Sequence, residues 1–64
     1  MKIVGQFNKD GEYRPHIEPV IVRRLGNSLV DKHGTMKAVK DEYGHWVSPT
    51  MRKYGVKCVI KVED

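Results

Sequence analysis

The sequence predicts an α+β domain rich in β-structure, with an antiparallel sheet of about four strands and one or two short helices. The clearest pattern is a period-two alternation over residues 56–62. Its apolar set is Val56, Cys58, Ile60 and Val62, and the opposite set contains Lys57 and Lys61. The second pattern is the β-branched run at residues 20–22, which has high strand preference. Sixty-four residues make a single domain, 1–64, which buries only about 60% of the surface its unfolded chain exposes.

The first element is a strand near the start of the chain. Ile3, Gly5 and Phe7 share one parity within residues 1–8, which predicts a strand with one buried face. The pair Asp10-Gly11 then tolerates the backbone angles of a tight turn. A hairpin into residues 12–14 is the expected outcome.

The next segment combines two prolines with a strongly β-prone run. Pro15 and Pro19 bracket residues 16–18, and because proline has no N–H for a sheet ladder, this piece is predicted to be an edge strand or a rigid connector. Residues 20–22 are expected at the centre of the sheet. Residues 23–27 should end that strand.

Residues 35–47 allow two interpretations. Met36, Val39 and Tyr43 recur at helical spacing behind a possible Thr35 cap, and Gly44 would end the helix. This spacing favours a helix over 35–43. The alternative is a hairpin in which residues 41–44 form the loop between strands at 36–39 and 45–47.

The end of the chain predicts a short helix followed by the last strand. Ser48 supplies a capping side chain, Pro49 fits the first helical position, and Gly55 can close the turn after Tyr54. Cys58 is the single cysteine and should pack as a small hydrophobe on the buried face of that strand. The stretch 44–49, placed before a helical turn and a final strand, is similar to the end of an SH3-like barrel. That resemblance implies a five-stranded barrel as the alternative fold, with no proline-rich ligand carried over.

No pattern in the sequence indicates catalysis or a cofactor. The candidate metal ligands His16, His33, His45 and Cys58 are too far apart in sequence to match a compact zinc motif. Nothing places a serine or cysteine beside a base, and Asp41-Glu42 is expected simply to be solvated. We therefore expect a non-enzymatic protein with no cofactor and no metal.

The charge of the chain favours negatively charged partners. Twelve Lys and Arg face eight Asp and Glu, for a net charge of +4, which adds salt-sensitive attraction to anionic surfaces. For a larger protein with an acidic surface, the terminal strands should offer unpaired edges and two exposed valines. Val4 lies between Lys2 and Gln6, and Val59 lies between Lys57 and Lys61. The expected contact residues are Lys2, Val4, Arg14, Arg23, Arg24, Lys57 and Lys61.

A small basic nucleic-acid-binding domain is the alternative function. Its contact residues would be Arg23, Arg24, Trp46, Arg52 and Lys53, with cations on phosphates and an aromatic ring on bases. Trp46 itself is expected to pack in the core, because a chain this small has few large side chains with which to build one. The absence of a long apolar run and the single cysteine predict a cytoplasmic protein with no membrane partner. A monomer is the expected form.

In size, charge and cysteine content, the whole chain resembles the very small regulators that tailed bacteriophages encode to bind bacterial RNA polymerase. The resemblance implies a protein that acts in the host cytoplasm and alters transcription through protein contact. The expected effect is inhibition of initiation, antitermination or both. No family motif is matched, so no functional residue is carried over.

Overall fold

The computed structural model describes residues 1–55 and 57–64, which form mostly antiparallel strands in two sheets with one short helix. The elements are β1 (Lys2–Phe7), β2 (Tyr13–Ile21), β3 (Arg23–Leu25), β4 (Ser28–Val30), β5 (Met36–Lys40), β6 (Trp46–Val47), α1 (Pro49–Lys53) and β7 (Ile60–Glu63). The terminal sheet has the order β2-β1-β7, and the central sheet has the order β3-β4-β5-β6. An isolated bridge between Val47 and Val59 links them. The prediction of a β-rich fold is confirmed, but the described strands form two sheets rather than one sheet or a closed barrel.

The core lies between the two sheets. Its buried cluster comprises Ile3, Val22, Leu29, Ala38 and Ile60, with Val20, Trp46 and Val62 packed against it. Cys58 is also buried, as the alternation over residues 56–62 predicts, but it precedes the last strand, which begins at Ile60. Val56, which belongs to the same predicted apolar set, lies outside the described residues.

A bulge in β1 changes the face on which its side chains lie. The pairs with β7 are Ile3 opposite Val62, then Gly5 opposite Lys61, then Gln6 opposite Ile60. Ile3 and Gln6 therefore share the face of Ile60 and Val62, because strand partners lie on the same face. Gly5 and Phe7 lie on the other face, so the predicted single face of Ile3, Gly5 and Phe7 is wrong. Gly5 is buried for a different reason, which is that Tyr13 lies against it.

The β-branched run at 20–22 is not at the centre of a sheet, contrary to the prediction. Val20 and Ile21 end β2, which is the edge strand that Pro15 and Pro19 predict. Ile21 is 69% exposed, whereas Val22 is buried where the chain passes from one sheet to the other. The prolines explain this outcome, because a strand that lacks ladder donors cannot be paired on both sides. The central position belongs to β1 instead.

Three hairpin loops among the described residues share one design, at 8–12, 31–35 and 41–45. In each, an Asn or Asp side-chain oxygen accepts the backbone N–H groups of the third and fifth loop residues at 2.8 to 3.0 Å. The fourth residue is a glycine with φ of 83°, 79° or 82°. The glycine N–H donates to the carbonyl of the first residue, and the N–H of the first residue donates to the carbonyl of the fifth. We call them the Asx loops.

The third Asx loop shows which of the two interpretations of residues 35–47 is correct. Residues 41–45 join β5 to β6, so the favoured helix over 35–43 is wrong and the hairpin alternative is confirmed. Met36 and Val39 belong to β5, and Tyr43 belongs to the loop. The helical spacing of these three side chains does not reflect a helix, because Asp41 and Gly44 impose a turn.

The short helix agrees with its sequence signals. Ser48 is the N-cap and its hydroxyl oxygen accepts the N–H of Met51 at 3.4 Å, Pro49 opens the helix, and Gly55 has φ of 77°. Of the residues that the structure describes, no helix has the length and apolar character that crossing a membrane requires.

Candidate partner-binding surface

One face of the terminal sheet points away from the core and gathers three of the predicted contact residues. Lys2 is opposite both Ile21 and Glu63, and Gly5 is opposite Lys61. Strand alternation and the bulge place a mixed apolar and charged set on this side. We call it the outer face, and it comprises Lys2, Val4, Gly5, Phe7, Tyr13, Ile21, Lys61 and Glu63. Lys2, Val4 and Lys61 were predicted as partner contacts, and the fold brings these three together.

Tyr13 organises the outer face. Its ring centroid lies 5.1 Å from that of Phe7 at an interplanar angle of 46°. The Lys61 ammonium lies 5.3 Å from the Tyr13 ring centroid, within the range of a cation–π interaction. The Tyr13 hydroxyl donates to the Val4 carbonyl at 3.4 Å. One side chain on the edge strand therefore contacts both other strands of the sheet.

Two predictions about the contact surface differ from the structure. Val4 and Val59 are half-buried rather than exposed, and Val59 is bridged to Val47. Because β1 is paired with β2 and with β7, it offers no unpaired edge. Of the two terminal strands, only β7 stands at the end of the strand order β2-β1-β7.

A protruding segment interrupts β2 beside the outer face. Ile3 is opposite Val20, and Gly5 is opposite Pro15, so one residue of β1 faces four residues of β2. We call residues 15–19 the proline tongue. All five are exposed, and Ile17 at its middle is exposed to 102% of its reference area. Ile17 was not among the predicted contacts, although an isolated isoleucine between two prolines was visible in the sequence.

The remaining predicted contacts lie elsewhere. Arg14 is opposite Gln6, which places it on the other face of β2, and its guanidinium lies 3.9 Å from Glu12. Arg23 lines a groove of about 220 Å³ together with Ile21 and Lys32. Since Ile21 also belongs to the outer face, Arg23 adjoins that face, whereas Arg14 does not.

Positive charge is concentrated in the part of the chain that forms the central sheet and α1. Residues 22–59 contain eight of the twelve Lys and Arg but only three of the eight Asp and Glu. The remaining residues are nearly balanced. The central sheet and helix therefore carry the cationic field of the molecule.

Trp46 is half-buried, and two cationic side chains lie near its ring. It packs against the core cluster, so the prediction of a core position holds in part. The Arg24 guanidinium lies 5.5 Å from its ring centroid and the Lys40 ammonium lies 5.3 Å from it. Of the residues predicted to bind nucleic acid, Arg24 and Trp46 are thus in contact. Arg52 instead lines a second pocket with Tyr43 and Lys57.

Asp41 is not simply solvated, contrary to the prediction. Its side chain is 10% exposed and lies 3.2 Å from the Lys57 ammonium. Partial burial alone would raise the pKa of Asp41, but hydrogen bonds from the His45 N–H, Lys57 and the Tyr43 N–H outweigh it and hold the pKa below its ordinary value. Lys57 is therefore engaged within the molecule, and its ammonium also lies 4.8 Å from the Tyr43 ring centroid.

Asp31 has a similar environment in the second Asx loop. The N–H of Thr35 is the main cause that lowers the pKa of this carboxyl, and partial burial opposes it. The N–H of His33 and the Lys37 ammonium at 3.7 Å lower it further. These two carboxylates are structural parts of their loops.

Within residues 1–55 and 57–64, no three His, Cys, Asp or Glu side chains come together as a possible metal site. His16 lies on the proline tongue, and His33 and His45 lie in different Asx loops. Comparison with protein-family models, with curated proteins and with solved structures finds no match to this chain.

Proposed function

We propose that the protein is a non-enzymatic interaction domain that binds bacterial RNA polymerase and alters transcription, by inhibiting initiation, by antitermination or by both. One observation carries the protein-binding part of this proposal, which is the outer face with its adjoining tongue. There, Ile21 is exposed opposite Lys2, and Ile17 and Ile21 project from a single strand. Exposed apolar side chains within a polar surround are typical of protein-interaction sites.

The size of the molecule fits binding through one face. A standard interface uses about 800 Å² per partner, whereas the whole chain exposes 4707 Å². The molecule measures 29 × 25 × 18 Å. A partner that covers the outer face would therefore also reach the tongue and Arg23.

The choice of RNA polymerase rests on the resemblance to phage-encoded regulators and on charge. The positive field of the central sheet would steer the chain toward an acidic surface, and the apolar groups would then hold it there. Steering and anchoring are thus assigned to different parts of the molecule.

Binding to nucleic acid is the second candidate, supported by Arg24 and Lys40 at the Trp46 ring. Its contact residues would be Arg23, Arg24, Trp46, Arg52 and Lys53. A ring that packs against the core exposes less surface for base stacking than a free one. Exposed aliphatic groups such as Ile17 also contribute little to binding phosphates, which is why we favour the protein partner.

The test measures binding of the purified chain to immobilised bacterial RNA polymerase, as core enzyme and as holoenzyme, after nuclease treatment. The same chain is titrated with DNA and RNA oligonucleotides at about 50 and 200 mM salt, where electrostatic binding weakens steeply. We expect stoichiometric binding to polymerase and a changed yield of initiated or terminated transcripts. Binding to oligonucleotides alone would favour the second candidate, and binding to neither would overturn both.

A matched pair of variants locates the contact. Ile21→Ser lies on the outer face, and Tyr54→Ser removes a hydrophobic side chain of similar exposure, 73% against 69%, at the end of α1. We expect Ile21→Ser to weaken polymerase binding by about tenfold, as loss of an anchoring side chain does. Tyr54→Ser should stay within about twofold of wild type, because a site away from the contact is energetically neutral.

A further inference from the structure

We infer that the proline tongue inserts Ile17 into an apolar pocket of the partner protein, and that acidic groups of the partner lie beyond this pocket, on the side that faces Arg23. The inference rests on the proposed function and deepens it by naming the anchoring side chain and the chemistry that receives it. The tongue consists of residues 15–19, in which Pro15 is paired with Gly5 and the next four residues lie opposite the single residue Val4 of β1.

Packing within the chain does not explain why an isoleucine stands at position 17. A large aliphatic side chain stabilises a fold by leaving water, and Ile17, exposed to 102% of its reference area, leaves none. The same side chain placed in a pocket would lose all of that contact with water. Central anchors of this kind carry most of the energy in protein interfaces.

The backbone conformation of the tongue is also restricted. Pro15 and Pro19 fix φ at about −65° at both ends of the segment, and pairing of Tyr13 and Val20 with β1 holds the strand on either side. A segment that is already ordered loses less conformational entropy when it binds. The prolines therefore favour rapid and specific insertion over a flexible search.

The shape and charge of the surroundings identify the occupant. A convex tongue with an apolar tip requires a concave apolar partner. Arg23 is six residues beyond Ile17, which is at most about 20 Å along a chain and lies within one interface of standard size. The tongue itself carries Glu18, so carboxylates of the partner are favoured beside Arg23 rather than around Ile17.

The test compares wild type with Ile17→Ala and Ile17→Asp for binding to RNA polymerase, with Tyr54→Ala as the control at an exposed hydrophobic position at the end of α1. We expect Ile17→Ala to weaken binding by about tenfold and Ile17→Asp to abolish it, mainly through faster dissociation. Tyr54→Ala should bind within about twofold of wild type. Urea unfolding midpoints of the Ile17 variants should equal that of wild type, because Ile17 contributes no packing to the fold.

The outcomes separate the tongue from the proposed function. If the wild-type chain binds polymerase but Ile17→Asp binds equally well, the tongue is not the anchor and the proposed function stands. If wild type binds neither core enzyme nor holoenzyme, the proposed function fails and this inference fails with it. Vesicles with anionic headgroups provide a further arm, in which Ile17-dependent binding to lipid without Ile17-dependent binding to polymerase would overturn a protein pocket.

Discussion

Gly5 is buried without a side chain of its own, because the Tyr13 ring of the neighbouring strand lies against its Cα. A Cβ at this position would meet the Tyr13 hydroxyl oxygen at 2.6 Å and the carbonyl oxygen of Arg14 at 2.8 Å. The ring could move away, but the carbonyl belongs to a paired strand. Glycine here therefore permits close approach of two backbones and an aromatic cover, an arrangement that also occurs in designed sheets.

We predict that Gly5→Ala lowers the free energy of unfolding by about 1 to 3 kcal/mol, the usual cost of overpacking. Urea denaturation of Gly5→Ala, Tyr13→Ala and the double variant measures it. The double variant should be less destabilised than the sum of the singles, because removing Tyr13 removes one of the two clashes. Additive effects, or a Gly5→Ala variant as stable as wild type, would contradict the close approach.

Asp41 links the stability of the third Asx loop to pH. Its pKa is held below the ordinary value of 3.8, so folding favours the ionised carboxylate. The resulting stability is fully present above the unfolded pKa and is lost as pH falls through the lower pKa of the folded state. Asn8 has the equivalent position in the first loop and accepts the same two N–H bonds with an amide oxygen.

We therefore predict that Asp41→Asn folds at pH 7 and loses stability less steeply than wild type between pH 5 and pH 2, a range that spans about pH 4 where aspartates titrate. Asp41→Ala, which removes the acceptor, should be less stable than Asp41→Asn at every pH. Urea unfolding at pH 7, 5 and 3 provides the comparison. An Asp41→Asn profile parallel to that of wild type would show that this carboxylate contributes nothing to the acid sensitivity.

At the scale of elements, the sequence predicts structures that depend on neighbouring residues, but it does not predict which strands pair with each other. The cap at Ser48, the proline at the first helical position and Gly55 define α1 from adjacent residues, so the sequence predicts the helix. The pattern of Asn or Asp followed by glycine three residues later occurs at 8, 31 and 41, and it marks all three Asx loops. Comparing the three segments with one another would have replaced the helix over 35–43 with the hairpin.

Features that depend on the pairing of two distant segments could not be predicted from the sequence. The bulge in β1 exists because Gly5 meets Lys61 and Gln6 meets Ile60 across strands more than fifty residues apart in sequence. No period along β1 alone encodes this register. The candidate surface follows the same rule, since Lys2, Val4 and Lys61 meet only after β7 pairs with β1. Ile17 was visible as an isolated apolar residue, but its exposure depends on the excess length of β2 opposite β1.

At the scale of the whole molecule, charge and apolar contact are spatially divided. Eight of the twelve cationic side chains belong to residues 22–59, whereas the tongue and the outer face belong to the nearly balanced terminal sheet. Long-range attraction governs how fast two proteins meet, and desolvated contacts govern how long they stay together. The two parts of the surface should thus control different rate constants.

We predict that Lys53→Glu, at the exposed end of α1, slows association with RNA polymerase several-fold at low salt and leaves dissociation nearly unchanged. The difference from wild type should shrink at about 0.5 M salt, where the Debye length falls to roughly 4 Å. Lys9→Glu makes the same change in net charge within the first Asx loop, which belongs to the balanced part of the chain, and should slow association less. Stopped-flow or surface-based kinetics at two salt concentrations resolve the rates. A Lys53→Glu effect that is confined to dissociation and persists in high salt would place Lys53 in direct contact with the partner and remove the division between steering and anchoring.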